Sequence, residues 1–256
     1  MPTVWHFADI TPLPLAKAGL LLRRCWRIQM QIIAHRGASG SYPENTLLAI
    51  EQALLAKADG IEIDVFCVEN ELVVIHDQNV SRTTNGTGFL SDFTLKQLQQ
   101  LDAGSGQQVP TLWQVLQLVN NQTLLNIELK GADTAEPLLQ LIEKAETELG
   151  TEPNKLLISS FNHPLLKYIK TQRPDLKTGA LTASLPLDYA AFASELGAWS
   201  VNCDKDFIDQ QMVADAHQRG LKVLVYTVND AVTASKMQQL GVDGIFCNYP
   251  QQARSW

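Results

Sequence analysis

The sequence predicts an α/β protein, a parallel sheet covered by helices and either closed into a barrel or doubly wound. Nine short β-branched or aliphatic runs recur along the chain, and helical stretches separate most of them for more than 200 residues. The 256 residues are 45% hydrophobic and 18% charged, which suits a chain with a real core and argues against disorder. At about 100–200 residues per domain, this length holds one large domain or two small ones.

The strands read, in order, 32–34, 61–66, 72–75, 124–129, 156–159, 178–181, 199–202, 223–228 and 244–247. Helical spacing appears between them, as at Leu47, Ile50 and Leu54 and at Leu138, Leu141, Ile142 and Ala145. Thr94 with Gln97, and Thr111 with Gln114, mark helix starts, because each pair fits a capping box. Nine strands are one more than an eight-stranded barrel needs. The surplus lies at 61–66 and 72–75, since residues 67–71 leave no room for the dozen or more residues that join parallel neighbours. Between His76 and Pro110, Gly86, Gly88, Gly104 and Gly106 stand among polar residues, which reads as an insertion or lid at about 77–110.

The formal net charge is −7. Duplex binding relies on clustered cations that displace counterions, so nucleic acid is a poor partner for this chain. No run approaches 18 uninterrupted apolar residues, so no ordinary membrane span is expected. Cys25, Cys67, Cys203 and Cys247 form no CxxC pair and read as reduced thiols of a cytoplasmic protein. Residues 1–29 carry Lys17, Arg23, Arg24 and Arg27 against Asp9. Their apolar run precedes the arginines, the reverse of a secretory signal. Met30 stands directly before the first strand and reads as a natural start, which leaves 1–29 as an extension outside the core and 30–256 as the barrel. The competing reading of 1–29 is a short amphipathic segment lying on a membrane surface.

The chemistry gathers at strand ends. Glu62 and Asp64 are two apart on one strand, so both leave the same face. Glu128 and Lys130 repeat that spacing on another strand. Buried carboxylates repel one another unless a cation or a shared proton compensates. Three of them converging inside one barrel make a hard-cation site that favours Mg²⁺ or Ca²⁺; a purely structural Glu/Lys layer is the alternative. His35 and His76 each close a strand, where barrel active sites form, and imidazole is suited to proton transfer near neutral pH. His6, His163 and His217 read as structural. Arg36 and Lys130 supply cations for a phosphoryl group, although Arg36 has a competing partner in Glu44. Asn85-Gly86-Thr87-Gly88 lacks the GKS/T of a phosphate loop, and no GxSxG elbow occurs.

The runs Ala34-His35-Arg36-Gly37, Pro43-Glu44-Asn45-Thr46, Gly60-Ile61-Glu62-Ile63-Asp64-Val65, Val74-Ile75-His76-Asp77 and Glu128-Leu129-Lys130 together resemble the glycerophosphodiester phosphodiesterases. The likeness continues through Arg82-Thr83-Thr84-Asn85-Gly86, Pro110-Thr111-Leu112, Ser159-Ser160-Phe161, Thr227-Val228-Asn229 and Gly241-Val242-Asp243-Gly244. The resemblance implies a (βα)8 TIM-type barrel with a small insertion after the third strand. It implies metal-dependent hydrolysis of glycerophosphodiesters, such as glycerophosphocholine or glycerophosphoethanolamine, to glycerol 3-phosphate and an alcohol. It further implies that His35 and His76 act as general base and acid. Glu62, Asp64 and Glu128 would hold one divalent cation, Mg²⁺ or Ca²⁺. Arg36 and Lys130 would lie near the phosphate, with Glu44 and Asn45 shaping the mouth. Two departures stand out. Tyr226 replaces the Trp that members often carry before Thr-Val-Asn, and Cys247-Asn248 replaces the common Thr-Asp. Both bear on the pocket wall, Tyr226 included, and on the alcohol, and neither position is expected to touch the proton transfers or the metal. The rivals are a phospholipase-type relative acting on lysophospholipids, which would need an apolar rim, and a non-catalytic barrel that only binds phosphodiesters. Oligomeric state is not readable from these residues.

Overall fold

The alternation read from the sequence is realised in a computed structural model that describes residues 30–256, so that the expectations for 1–29, His6 and Cys25 lie outside the described residues. In chain order the elements are β1 (Gln31–His35), α1 (Leu47–Leu55), β2 (Gly60–Val68), β3 (Glu71–Val74), α2 (Leu95–Leu98), α3 (Leu112–Val119), β4 (Leu124–Leu129), α4 (Ala135–Leu149), β5 (Leu156–Ser160), α5 (His163–Gln172), β6 (Lys177–Thr182), α6 (Ala191–Leu196), β7 (Ser200–Asp204), α7 (Gln210–Gln218), β8 (Lys222–Tyr226), α8 (Ala231–Leu240), β9 (Gly244–Cys247) and α9 (Pro250–Ala253). Both capping boxes form: Thr94 and Thr111 accept from the amides of Gln97 and Gln114, whose side chains return to the cap amides. The run at 223–228 is shorter than expected as a strand. β8 stops at Tyr226, and Thr227 turns to border the cavity described below.

Eight parallel strands close into a barrel in the order β1-β9-β8-β7-β6-β5-β4-β2, with β1 pairing β2 to complete the ring. The surplus strand is β3. It folds back antiparallel on β2 through a two-residue turn at Glu69 and Asn70, both at positive φ, the turn type that matches strand twist in tight hairpins. β1 and β3 share one edge of β2: β1 pairs with residues 60–62 and β3 with residues 65–68. The chain leaving β3 is thereby returned to the barrel mouth. Residues 77–110 follow as 3-10 turns and α2, with a small core of their own in which Val80, Leu90, Leu98 and Val109 pack on Phe66, Val73 and Ile75.

Alternation along each strand separates two cores. Residues such as Ile61, Ile63, Ile127, Ile158 and Val201 face the helices and join the main apolar cluster. Inside the barrel the layers change character with height. Ile33, Leu157, Leu224 and Phe246 form an apolar layer. Polar pairs also fill the interior: Asn126 Nδ2 donates to Ser159 Oγ at 3.0 Å, and Ser200 Oγ donates to Asn202 Oδ1 at 2.7 Å. Gly179 is required beside them, because a Cβ there would come within 2.8 Å of Asn202 Nδ2. Carboxylates and imidazoles occupy the strand ends at the mouth. No helix among the described residues is long and apolar enough to cross a membrane.

Candidate active site

Strand register brings the predicted residues together. Asp64 lies opposite Glu128 across β2 and β4, and His35 lies opposite Glu62 across β1 and β2. The amide of Ile75 donates to the Asp64 carbonyl at 3.0 Å, which holds the following residue, His76, at the level of the carboxylates. His35, Arg36, Glu62, His76, Glu128 and Lys130 line one cavity of about 220 Å³. The two histidines therefore share a mouth.

Glu62, Asp64 and Glu128 offer ligand oxygens that all lie within 4.8 Å of one another. Glu62 and Asp64 are almost fully buried. Burial, compounded by the neighbouring carboxylates, raises Glu62 well above its ordinary range; burial and Asp64 raise Glu128, against the pull of Lys130. Glu62 Oε2 accepts from the Arg36 amide at 2.9 Å, while its Oε1 is buried without a hydrogen-bond partner. Lys130 Nζ donates to Glu128 Oε1 at 2.7 Å and lies 3.4 Å from Asp64 Oδ1. An orphaned buried carboxylate oxygen beside two more carboxylates fits a divalent cation with oxygen ligands, and this cluster is the place in the cavity that could hold one.

A chain of ion pairs runs round the rim. Arg36 Nη1 donates to Glu44 Oε1 at 2.8 Å, so its competing salt bridge exists, and its Nε lies 3.3 Å from Asp64 Oδ2. Glu44 also accepts twice from Arg82, at 2.8 Å each. Although burial opposes it, these guanidinium contacts hold Glu44 down at about 2. Arg82 reaches on to Asp77, whose Oδ1 lies 2.5 Å from His76 Nδ1. Asp77 is likewise held at about 2 by Arg82 and His76, against its burial. Asn45, expected at the mouth, instead clamps a carboxylate: its Nδ2 donates to Asp64 Oδ2 at 2.9 Å and its Oδ1 accepts from the Asp64 amide at 3.3 Å. The turn that carries Arg36 needs Gly37, with φ +78° and Ala49 within 2.6 Å of any added Cβ.

His35 has a different kind of partner. Its Nδ1 lies 2.8 Å from Asn248 Oδ1, and its Nε2 is 3.9 Å from Glu62 Oε2. Burial, with Arg36 beside it, lowers His35 to about 4. Position 248 was expected to stand apart from the proton chemistry; its side chain in fact meets the imidazole. Arg82, Asp77 and Asn126 are the neighbours that site reasoning from sequence missed, and Asn248 was placed on the pocket wall without its imidazole partner. Asp77, Arg82 and Asn248 carried a signal through the runs that contain them; Asn126 carried none. The other half of the cavity wall is apolar: Phe161 packs edge-on to Tyr226 with ring centroids 6.2 Å apart, beside Leu181 and Phe246. Tyr226 OH donates to the Thr182 carbonyl at 2.8 Å. His163 and His217 lie outside this cavity. The first meets the Leu181 carbonyl and stacks on Phe192, and the second pairs with Asp243.

Residues 35–252 match the Glycerophosphoryl diester phosphodiesterase family. A glycerophosphodiester phosphodiesterase of Caldanaerobacter subterraneus is 37% identical over 230 residues, covering 86% of this chain and 94% of that protein. One from Bacillus subtilis is 33% identical over 267 residues, covering 94% and 90%. Among solved structures, an Oleispira antarctica phosphodiesterase in complex with the product sn-glycerol-3-phosphate superposes with a TM-score of 0.81 at 33% identity, covering 88% of this chain and 95% of that one. With its closed barrel, its paired imidazoles and its carboxylate cluster at one mouth, the chain belongs to the glycerophosphoryl diester phosphodiesterase family.

Proposed function

We propose that this protein is a phosphoric diester hydrolase that cleaves glycerophosphodiesters to glycerol 3-phosphate and an alcohol, with His35 as general base and His76 as general acid. The observation that carries this reading is the convergence of both histidines, Arg36, Lys130, Glu62 and Glu128 on a single cavity. Glu62, Asp64 and Glu128 would hold one divalent cation, for which all-oxygen ligands favour Mg²⁺ or Ca²⁺. When bound, such an ion polarises a phosphoryl oxygen and offsets the charge of a phosphodiester.

The chain's own residues divide the remaining work. Arg36 and Lys130 hold the non-bridging oxygens, with Glu44 fixing the first and Glu128 the second. His35, buried beside Arg36 and backed by a neutral amide, suits the group that starts uncharged and takes the nucleophile's proton. His76 has the Asp77 carboxylate behind its ring, which compensates the positive charge of an imidazolium and suits the group that protonates the departing alkoxide. The nucleophile is water or the substrate's own glycerol hydroxyl, and an analogue with that hydroxyl blocked separates the two. Free Cys67, Cys203 and Cys247 support a cytoplasmic setting. Residues 30–256 are proposed as the catalytic unit.

Phosphorus NMR of glycerophosphocholine with the protein and Mg²⁺ tests the reading. Glycerol 3-phosphate is the expected product; phosphocholine, or no turnover, would contradict it. One observation favours a second reading in which lysophospholipids are also cleaved: Phe161, Leu185, Leu187 and Phe207 are exposed apolar side chains in the segments that follow the adjacent strands β5, β6 and β7. Turnover of micellar lysophosphatidylcholine tests it.

A further inference from the structure

We infer that Asn248, itself pinned by Asn229, is a positioning residue that fixes the tautomer of His35. This rests on the reading of His35 as the base and adds the device that keeps its working nitrogen free. A neutral imidazole carries one proton on either of two nitrogens, and the partner of one nitrogen sets the state of the other. The Asn248 Oδ1 atom, 2.8 Å from His35 Nδ1, can only accept a hydrogen bond. Nδ1 must therefore bear the proton, and the Nε2 lone pair is left facing the cavity. The carboxylate oxygen near Nε2, Glu62 Oε2, is 3.9 Å away, beyond hydrogen-bond distance, and is already engaged by the Arg36 amide.

The backbone that carries this side chain is held from two directions. The Asn248 main-chain N–H donates to Asn229 Oδ1 at 2.8 Å, and its carbonyl accepts from the Gly40 amide at 2.8 Å. Gly40 belongs to the same turn as His35, and that turn is closed by Ser39 Oγ donating to the His35 carbonyl at 2.6 Å. The imidazole and its partner are thus fixed to one frame drawn from β1, β9 and the segment after β8. A neutral amide orients the ring without adding a fourth negative charge beside three carboxylates. The contrast with His76, whose partner is a carboxylate, gives the two rings different duties from the same hydrogen-bond pattern.

The test is nitrogen-15 NMR of histidine-labelled protein, both cation-free and with Mg²⁺, together with steady-state kinetics on glycerophosphocholine. Wild type is expected to show His35 protonated on Nδ1. Asn248→Leu is expected to lose that signature and to lower kcat roughly 10–100-fold, with KM within about threefold. Asn248→Asp keeps an acceptor oxygen and should keep the proton on Nδ1, while its added charge should leave kcat between wild type and Asn248→Leu. Where Asn248→Leu does not fold, Asn229→Ala removes the pin alone and should give the same changes in smaller measure. A folded Asn248→Leu that keeps the tautomer and kcat would overturn the inference, as would a wild type protonated on Nε2. His35→Ala separates the two levels: an active His35→Ala refutes the base assignment, whereas an inactive one beside a fully active Asn248→Leu refutes only the role of Asn248.

Discussion

Glu62→Gln should change the sign of its effect on stability according to whether a divalent cation is bound. The residue is 2% exposed and its carboxylate shares a space of 4.8 Å with two others. At that separation and an effective dielectric of about 20, one fully ionised carboxylate pair repels by about 3.5 kcal/mol, an upper figure because burial raises Glu62 and disfavours its charge. Glutamine keeps the shape and an oxygen to accept the Arg36 amide, but removes two repulsions and one opposing attraction to Arg36 of similar size. After relaxation, the cation-free variant should be more stable than wild type by roughly 1–3 kcal/mol. At about 2–4 °C per kcal/mol for a chain of this size, its Tm in excess chelator should rise by about 2–12 °C. Cation at a thousand times its Kd should then stabilise wild type by about 4.1 kcal/mol and do little for the variant, so the order of the two reverses. Differential scanning calorimetry with chelator, and then with Mg²⁺ or Ca²⁺, reads this directly. A Glu62→Gln protein that is less stable in chelator would show that Glu62 serves only to brace Arg36, and the reasoning would fail.

Three other outcomes are expected. His76→Ala should fold normally, since the ring is partly exposed, and lose roughly 10²–10⁴ in turnover of glycerophosphocholine; an unfolded variant by circular dichroism would make the histidine structural. Lys130→Met should lower kcat/KM far more than it lowers Tm, and the opposite pattern would reduce Lys130 to a partner of Glu128. Asp243→Asn should flatten the acid limb of the stability curve. Despite burial, Lys222, the Val223 amide and His217 hold this carboxyl below its ordinary 3.8. A depressed carboxyl stabilises the fold above 3.8 and loses that contribution as pH falls through the lowered value. Urea titrations at pH 7 and in acid below the lowered value should show the variant less stable by roughly 1–3 kcal/mol at pH 7 and level with wild type in acid; equal stability at both would refute the pairing.

What the sequence made legible follows from periodicity. Side chains two apart on a strand share a face, so Glu62 with Asp64, and Glu128 with Lys130, were placeable once both strands entered one parallel ring. Strand ends in such a ring all open on the same mouth, which joins His35 to Glu128 without knowledge of any contact. The short link at residues 67–71 disclosed the hairpin of β2 and β3, because no crossover fits there. The illegible parts depend on distant register or on side-chain reach. Asn248 meets His35 across 213 residues because β9 closes the ring against β1. Arg82 reaches Glu44 from an insertion whose local sequence specifies turns and not a destination. Asn45 was placed at the mouth by its position in a motif, whereas its positive φ and paired hydrogen bonds turn it onto Asp64.

The claim on which the account turns is that the three carboxylates grip a single dication beside the two imidazoles. Isothermal titration of cation-free protein with Mg²⁺ and with Ca²⁺ addresses it without relying on turnover, using wild type and Asp64→Asn in parallel. One ion bound per wild-type chain, and none by a folded Asp64→Asn, is the predicted result. Undiminished binding by that variant would put the ion elsewhere and contradict the account.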